Sequence, residues 1–114
     1  MPYLRIQTNL ELSEAKKNAI LPLASNVVSS ELGKPENYVM VSFAPPQPMM
    51  FAGSNEPCAY LELKSIGLPE SRTKHLSSVL CRLMESELEL AADRVYVEFT
   101  DAARSMWGWN GGTF

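Results

Sequence analysis

The chain has 114 residues, 46% of them hydrophobic and 20% charged, which is one domain's worth of ordinary globular composition and excludes intrinsic disorder. Ten Lys and Arg against 13 Asp and Glu give a net charge of −3, which argues against nucleic acid or an anionic membrane as a partner. No apolar stretch approaches the roughly 20 residues of a membrane span.

The chain opens Met1-Pro2-Tyr3-Leu4-Arg5, with no basic segment leading into an apolar one. No secretory signal is expected, and the reducing cytoplasm is the expected setting. Tyr3-Leu4-Arg5-Ile6-Gln7-Thr8 alternates with period two and predicts a half-buried strand. Ser13 then reads as the N-cap of a helix whose apolar stripe is Ala19, Ile20, Leu23, Ala24, Val27 and Val28. Gly33 is placed to end that helix in the left-handed conformation, and Pro35 cannot continue it. Pro22 falls inside it, where proline costs about 3 kcal/mol, so a kink or a later start is expected. Val39-Met40-Val41-Ser42-Phe43 predicts the next strand. Ala44-Pro45-Pro46-Gln47-Pro48 reads as a rigid turn, followed by a short apolar run, Met49-Met50-Phe51-Ala52.

The pattern then repeats. Tyr60-Leu61-Glu62-Leu63-Lys64-Ser65 answers the first strand and Val95-Tyr96-Val97-Glu98-Phe99 the second, at offsets differing by a single residue. Between them Leu76, Val79, Leu80, Leu83, Met84 and Leu88 make a helical stripe, with Ser71 or Glu70 able to cap it after Pro69. His75, before that stripe, reads as an exposed helical residue. Met106-Trp107-Gly108-Trp109 is a second short apolar tail. Each half, residues 2–52 and 58–109, is a β-α-β unit whose long connection suits parallel strands. The expected architecture is a single two-layer α/β domain over residues 1–114, β-α-β-β-α-β, with a four-stranded mixed sheet and both helices on one face. The bare face needs cover, and the two apolar tails are candidates to pair with another chain. An oligomer answers both. Cys58 and Cys81 read as free thiols, and one His with two Cys cannot make a structural zinc site alone.

Pro2 after the initiator Met, Gly33-Lys34-Pro35, Ser54-Asn55-Glu56-Pro57-Cys58-Ala59, Ser65-Ile66-Gly67, Asp93-Arg94-Val95-Tyr96, and Gly108-Trp109-Asn110 with Thr113-Phe114 resemble the macrophage migration inhibitory factor family along nearly the whole chain. The resemblance implies a homotrimer and a cofactor-free, metal-free keto–enol tautomerase for phenylpyruvate-type 2-oxo acids and dopachrome derivatives. It implies that Pro2, freed as a secondary amine by loss of Met1, is the acid–base catalyst. Apolar walls and a nearby cation both disfavour an ammonium ion and bring such an amine towards a useful pKa.

By the same resemblance Lys34 binds the substrate carboxylate with charge-assisted bonds, and Ser65 and Ile66 belong to the substrate site, Ile66 through its backbone N–H. Tyr96 reaches the pocket of a neighbouring subunit, while Tyr3, Tyr38, Trp109 and Phe114 form an aromatic wall. Without the resemblance, Pro2 reads as the edge of a strand, Lys34 as a cation at a helix end and Tyr96 as a sheet-face residue. Three positions depart from the family pattern. Glu98 stands where animal members carry Asn and offers only acceptors. Trp107 replaces a smaller aliphatic residue and should narrow the pocket. Cys58 has no second thiol two residues beyond Ala59, so no dithiol exchange centre forms there. The family's association with cytokine signalling leaves a second reading open, a partner- or receptor-binding protein with weak or vestigial tautomerase activity.

Overall fold

In β1 (Tyr3–Thr8) the side chains of Leu4, Ile6 and Thr8 are buried and the alternate ones half-buried, as a pleated strand with one covered face requires. The computed structural model describes residues 1–114. After β1 come α1 (Glu14–Leu32), β2 (Met40–Phe43), β3 (Ala59–Ile66), α2 (Thr73–Leu88) and β4 (Val95–Ala102). A small hairpin, β5 (Gly108–Trp109) with β6 (Gly112–Thr113), closes the chain. The main sheet has the order β2-β1-β3-β4. Each helix joins a parallel pair, β1 with β2 and β3 with β4, and the antiparallel centre, β1 with β3, makes the sheet mixed.

Both helices lie on the same face. Ile20, Ala24 and Val28 of α1 and Leu76, Leu80, Leu83, Met84 and Leu88 of α2 join Leu4, Ile6, Leu61, Leu63 and Val95 in one core. Burying each of the Val, Leu, Ile and Met side chains among them stabilises by about 1.5–3 kcal/mol. The opposite face presents Tyr3, Arg5, Tyr60, Glu62, Lys64, Tyr96 and Glu98. Several of these pair with one another: Arg5 bonds Glu62 at 3.2 Å, and the Tyr60 hydroxyl donates to Glu98 at 2.5 Å.

The ends of α1 follow the sequence. Ser13 Oγ accepts from the Lys16 N–H at 3.1 Å, and Gly33 ends the helix at φ 62. Pro22, however, neither delays nor breaks α1. It is exposed, and the carbonyl it leaves without an N–H partner belongs to exposed Asn18, where water can take its place. The buried stripe is also narrower than expected, since Ala19 is exposed and Leu23 is 45% exposed. Neither Ser71 nor Glu70 caps α2. Pro69 starts a 3-10 turn, Glu70–Arg72, and α2 follows from Thr73 with no side-chain cap. Thr73 instead sends its hydroxyl back to the Glu70 carbonyl at 2.9 Å. Neither apolar tail lengthens the sheet within the subunit. Phe51 closes on Ser54 in an isolated bridge, and Gly108–Trp109 folds onto Gly112–Thr113. Cys58 is buried and Cys81 half-buried, and both thiols are free.

Candidate active site

Pro2 is fully buried where the chain enters β1. Its carbonyl accepts from the Met40 N–H at 3.0 Å, which ties the start of β1 to the start of β2. Beside it opens a cavity of about 320 Å³ lined by Met1, Pro2, Tyr3, Tyr38, Trp107, Trp109 and Phe114, with Asn37, Val39, Met40 and Gly108 completing the wall. No Asp or Glu side chain lines it.

Three local structures converge on the cavity. Tyr38 ends a 3-10 turn, Glu36–Tyr38, that follows Pro35, and its N–H donates to the Pro35 carbonyl at 3.0 Å. Tyr3 points to the open face of β1 and exchanges a 2.7 Å hydrogen bond with Ser42 on β2. The third is the terminal hairpin, whose two-residue loop Asn110-Gly111 has φ of 53° and 79°, the type I′ geometry for which Asn-Gly is suited. Trp109 and Phe114 stack with centroids 5.7 Å apart and an interplanar angle of 17°. Tyr38 meets both edge-on, at 5.3 Å and 5.8 Å. Such pairs add about 0.5–1.5 kcal/mol beyond burial, so the wall holds its shape without ligand.

Lys34 is half-buried just beyond the αL residue Gly33. The amine of Met1, which donates to the Tyr38 carbonyl at 2.5 Å, lies below its ordinary value of 8.0, first because burial strips its water and then because the Lys34 charge repels a second cation. While Met1 is attached, the Pro2 nitrogen is an amide and has no basicity.

The structure thus brings Pro2, Tyr3, Tyr38, Trp107, Trp109 and Phe114 to one cavity, with Lys34 electrostatically coupled to the amine beside it. Ser65 and Ile66 end β3 as buried residues outside the cavity's lining. Tyr96, 62% exposed, and Glu98 lie on the open face of edge strand β4, also outside it. Tyr96 packs on Phe51 with centroids 4.5 Å apart. Glu98 takes the Tyr60 hydroxyl and, with Glu62, pushes that phenol up to about 12. The Arg94 guanidinium binds the carbonyls of Phe51, Ser54, Glu56 and Pro57 and lies over the Phe51 ring. His75 is exposed and meets Glu31 at 2.9 Å. No three His, Cys, Asp or Glu side chains gather to hold a metal.

Sequence reading missed Asn37, Val39 and Met40 as lining residues, though Met40, 65% exposed, stands across from Tyr3 in register. It also missed the hairpin, for which Asn110-Gly111 between short apolar pairs was the available signal.

A family profile described as Macrophage migration inhibitory factor (MIF) matches residues 1–114. The chain belongs to the macrophage migration inhibitory factor family. Among relatives in that family, the homolog from Brugia malayi is 42% identical over 116 residues, covering 100% of this chain and 99% of that one. The factor from Mus musculus is 34% identical at the same coverage. Among solved family structures, the homologue from Prochlorococcus marinus superposes with a TM-score of 0.92 at 42% identity, covering 98% of each chain. That from Trichinella spiralis gives 0.90 at 31% identity, covering 98% of this chain and 99% of that one. The fold is therefore the family's α+β fold. No helix is long and apolar enough to cross a membrane.

Proposed function

We propose that this family member is a cofactor-independent keto–enol tautomerase acting on phenylpyruvate-type 2-oxo acids, with Pro2 as its acid–base catalyst after Met1 is removed. The observation that carries the reading is the position of Pro2: buried beside an aromatic cavity, next to an amine whose charged form is disfavoured by burial and by Lys34. In the keto-to-enol direction the Pro2 nitrogen lone pair takes a proton from the carbon next to the carbonyl. The electrons of that C–H bond form the enol double bond, the carbonyl oxygen takes a proton from water, and the protonated Pro2 amine gives its proton back to water to restore the base. An amine of lowered pKa is free to accept at neutral pH and acidic enough to return the proton. Lys34 holds the carboxylate, and Tyr3, Tyr38, Trp107, Trp109 and Phe114 sandwich the ring. Ser65 and the Ile66 N–H complete the substrate contacts. Tyr96 and Glu98 reach the cavity of an adjacent subunit in a homotrimer, and catalysis proceeds in the cytoplasm.

A second reading is a cytokine-like, partner-binding protein with weak or vestigial tautomerase activity, since wherever Met1 stays attached the Pro2 nitrogen is an amide and cannot act as the base. Intact mass and a phenylpyruvate enol–keto assay on one preparation separate the two. Loss of Met1 together with turnover that Pro2→Gly abolishes supports the enzyme. A processed protein without turnover overturns it.

A further inference from the structure

Lys34 is held by an interaction that neither the cavity nor the sheet supplies. Ser29, one turn before the end of α1, donates its hydroxyl to the Lys34 carbonyl at 2.5 Å. The Lys34 N–H donates back to the Ser29 carbonyl at 3.1 Å, and the Gly33 N–H shares that acceptor. Both backbone polar groups of Lys34 therefore end on one residue. A serine inside a helix ordinarily turns its hydroxyl to the carbonyl of the preceding turn, whereas this one reaches forward, over the helix end, into the loop.

The residues on either side of Lys34 make that bond consequential. Pro35 fixes its own φ, at −58°, and restricts the residue before it to extended backbone. Gly33 is set in the left-handed region. With the Ser29 hydroxyl closing the ring, little freedom remains in the backbone that aims the Lys34 side chain. The same short segment ends at Tyr38, whose carbonyl accepts from the chain's amine and whose ring packs on Trp109 and Phe114. Lys34–Tyr38 is thus pinned at both ends, by Ser29 at one and by the cavity at the other.

We propose that Ser29 is a positioning residue: its hydroxyl, by clasping the Lys34 carbonyl beside the backbone bond that already anchors the Lys34 N–H, keeps that cation at a set distance from the Pro2 nitrogen and from the substrate carboxylate. This rests on the roles proposed for Pro2 and Lys34 and goes beyond them by assigning control of their spacing to a side chain outside the cavity. The groups around the cavity that can carry charge are the phenols of Tyr3 and Tyr38 and the terminal carboxylate of Phe114, which Arg104 holds through the Phe114 carbonyl oxygen at 3.1 Å, and Lys34 is the cation whose charge disfavours an ammonium at the amine.

The test uses the full-length, Met1-free protein and two readouts, the titration of the Pro2 amine followed by nitrogen-15 NMR and the kinetics with phenylpyruvate. In Ser29→Ala the released Lys34 moves away from the amine. The amine pKa rises, the acid limb of kcat/KM moves to higher pH, and KM increases roughly 3- to 10-fold, the scale of one lost hydrogen bond, with kcat at its own pH optimum retained. Ser29→Thr, which keeps the hydroxyl, restores all three, and the exposed neighbour Ser30→Ala leaves them as in the wild type. An amine titration and KM that Ser29→Ala leaves untouched while Lys34→Ala moves both would overturn the proposal. If Lys34→Ala moves neither, the role of Lys34 falls and the clasp falls with it. A protein without turnover, in which both variants still shift the amine, would overturn the enzyme reading and uphold the clasp.

Discussion

The two ends of the sheet are built on opposite principles. At the β2 end lies an apolar cavity, its rings locked on one another and its buried Pro2 beside an amine whose charged form is disfavoured. At the β4 end Tyr96 and Glu98 project from an open face, and each is occupied within its own subunit, Tyr96 by Phe51 and Glu98 by Tyr60. The first end is a preformed apolar receptacle walled by aromatic rings. The second is an exposed projection: Tyr96 packs on Phe51, and Arg94 lies over the Phe51 ring while binding four carbonyls of its loop. The difference teaches that one subunit supplies a receptacle and a projection, at opposite edges of the same sheet.

The largest effect expected is at the receptacle. Pro2→Gly should lower kcat for phenylpyruvate by about 10²–10⁴-fold, the usual contribution of a positioned acid–base group, and lower the thermal midpoint as well, because a buried ring is lost. Unaltered turnover would mean that the preformed cavity serves binding alone. The projection is tested next by Arg94→Met. Leaving those carbonyls without their charged donor should cost roughly 2–4 kcal/mol in urea unfolding, and stability equal to the wild type would show that loop 51–57 is braced by something else. Trp107→Val sharpens the receptacle by enlarging it. Affinity for a naphthyl-sized 2-oxo acid should rise about 3- to 10-fold relative to a phenyl one, and equal changes for both would mean that the Trp107 ring does not limit the space.

The smallest effect concerns Glu98. Its hydrogen bond and charge hold the Tyr60 phenol up to about 12 against an ordinary 10.0. A raised phenol pKa stabilises the fold fully below the ordinary value and loses that stabilisation as pH climbs through the raised one. Glu98→Gln should bring phenolate absorbance in at lower pH, nearer 10.0. A titration that Glu98→Gln leaves in place would break the pairing on which the contrast between the two ends rests.

The alternations at Tyr3–Thr8, Val39–Phe43, Tyr60–Ser65 and Val95–Phe99, and the stripes from Ala19 to Val28 and from Leu76 to Leu88, were enough to read four strands, two helices and parallel pairing, because burial on one face leaves a periodic imprint. Ser13 and Gly33 were legible for the same local reason. The start of α2 was not, since Pro69 set up a tighter turn that used the first N–H groups before Ser71 could cap them. Nor was the unbroken passage of Pro22, which depends on which side of α1 faces water.

For the site, the sequence by itself determined chemical identity: a proline after Met1, a lysine after a helix-ending glycine, and the supply of aromatic rings. Only the tertiary structure decided which of these meet. The register of β1 against β2 sets Tyr3 across from Met40, the Asn110-Gly111 turn folds Trp109 and Phe114 onto Tyr38, and sheet order sends Tyr96 and Glu98 to the far edge. Periodicity records which face of an element is buried. It carries no record of which distant element does the burying, because that is settled by strand pairing and packing across the whole chain.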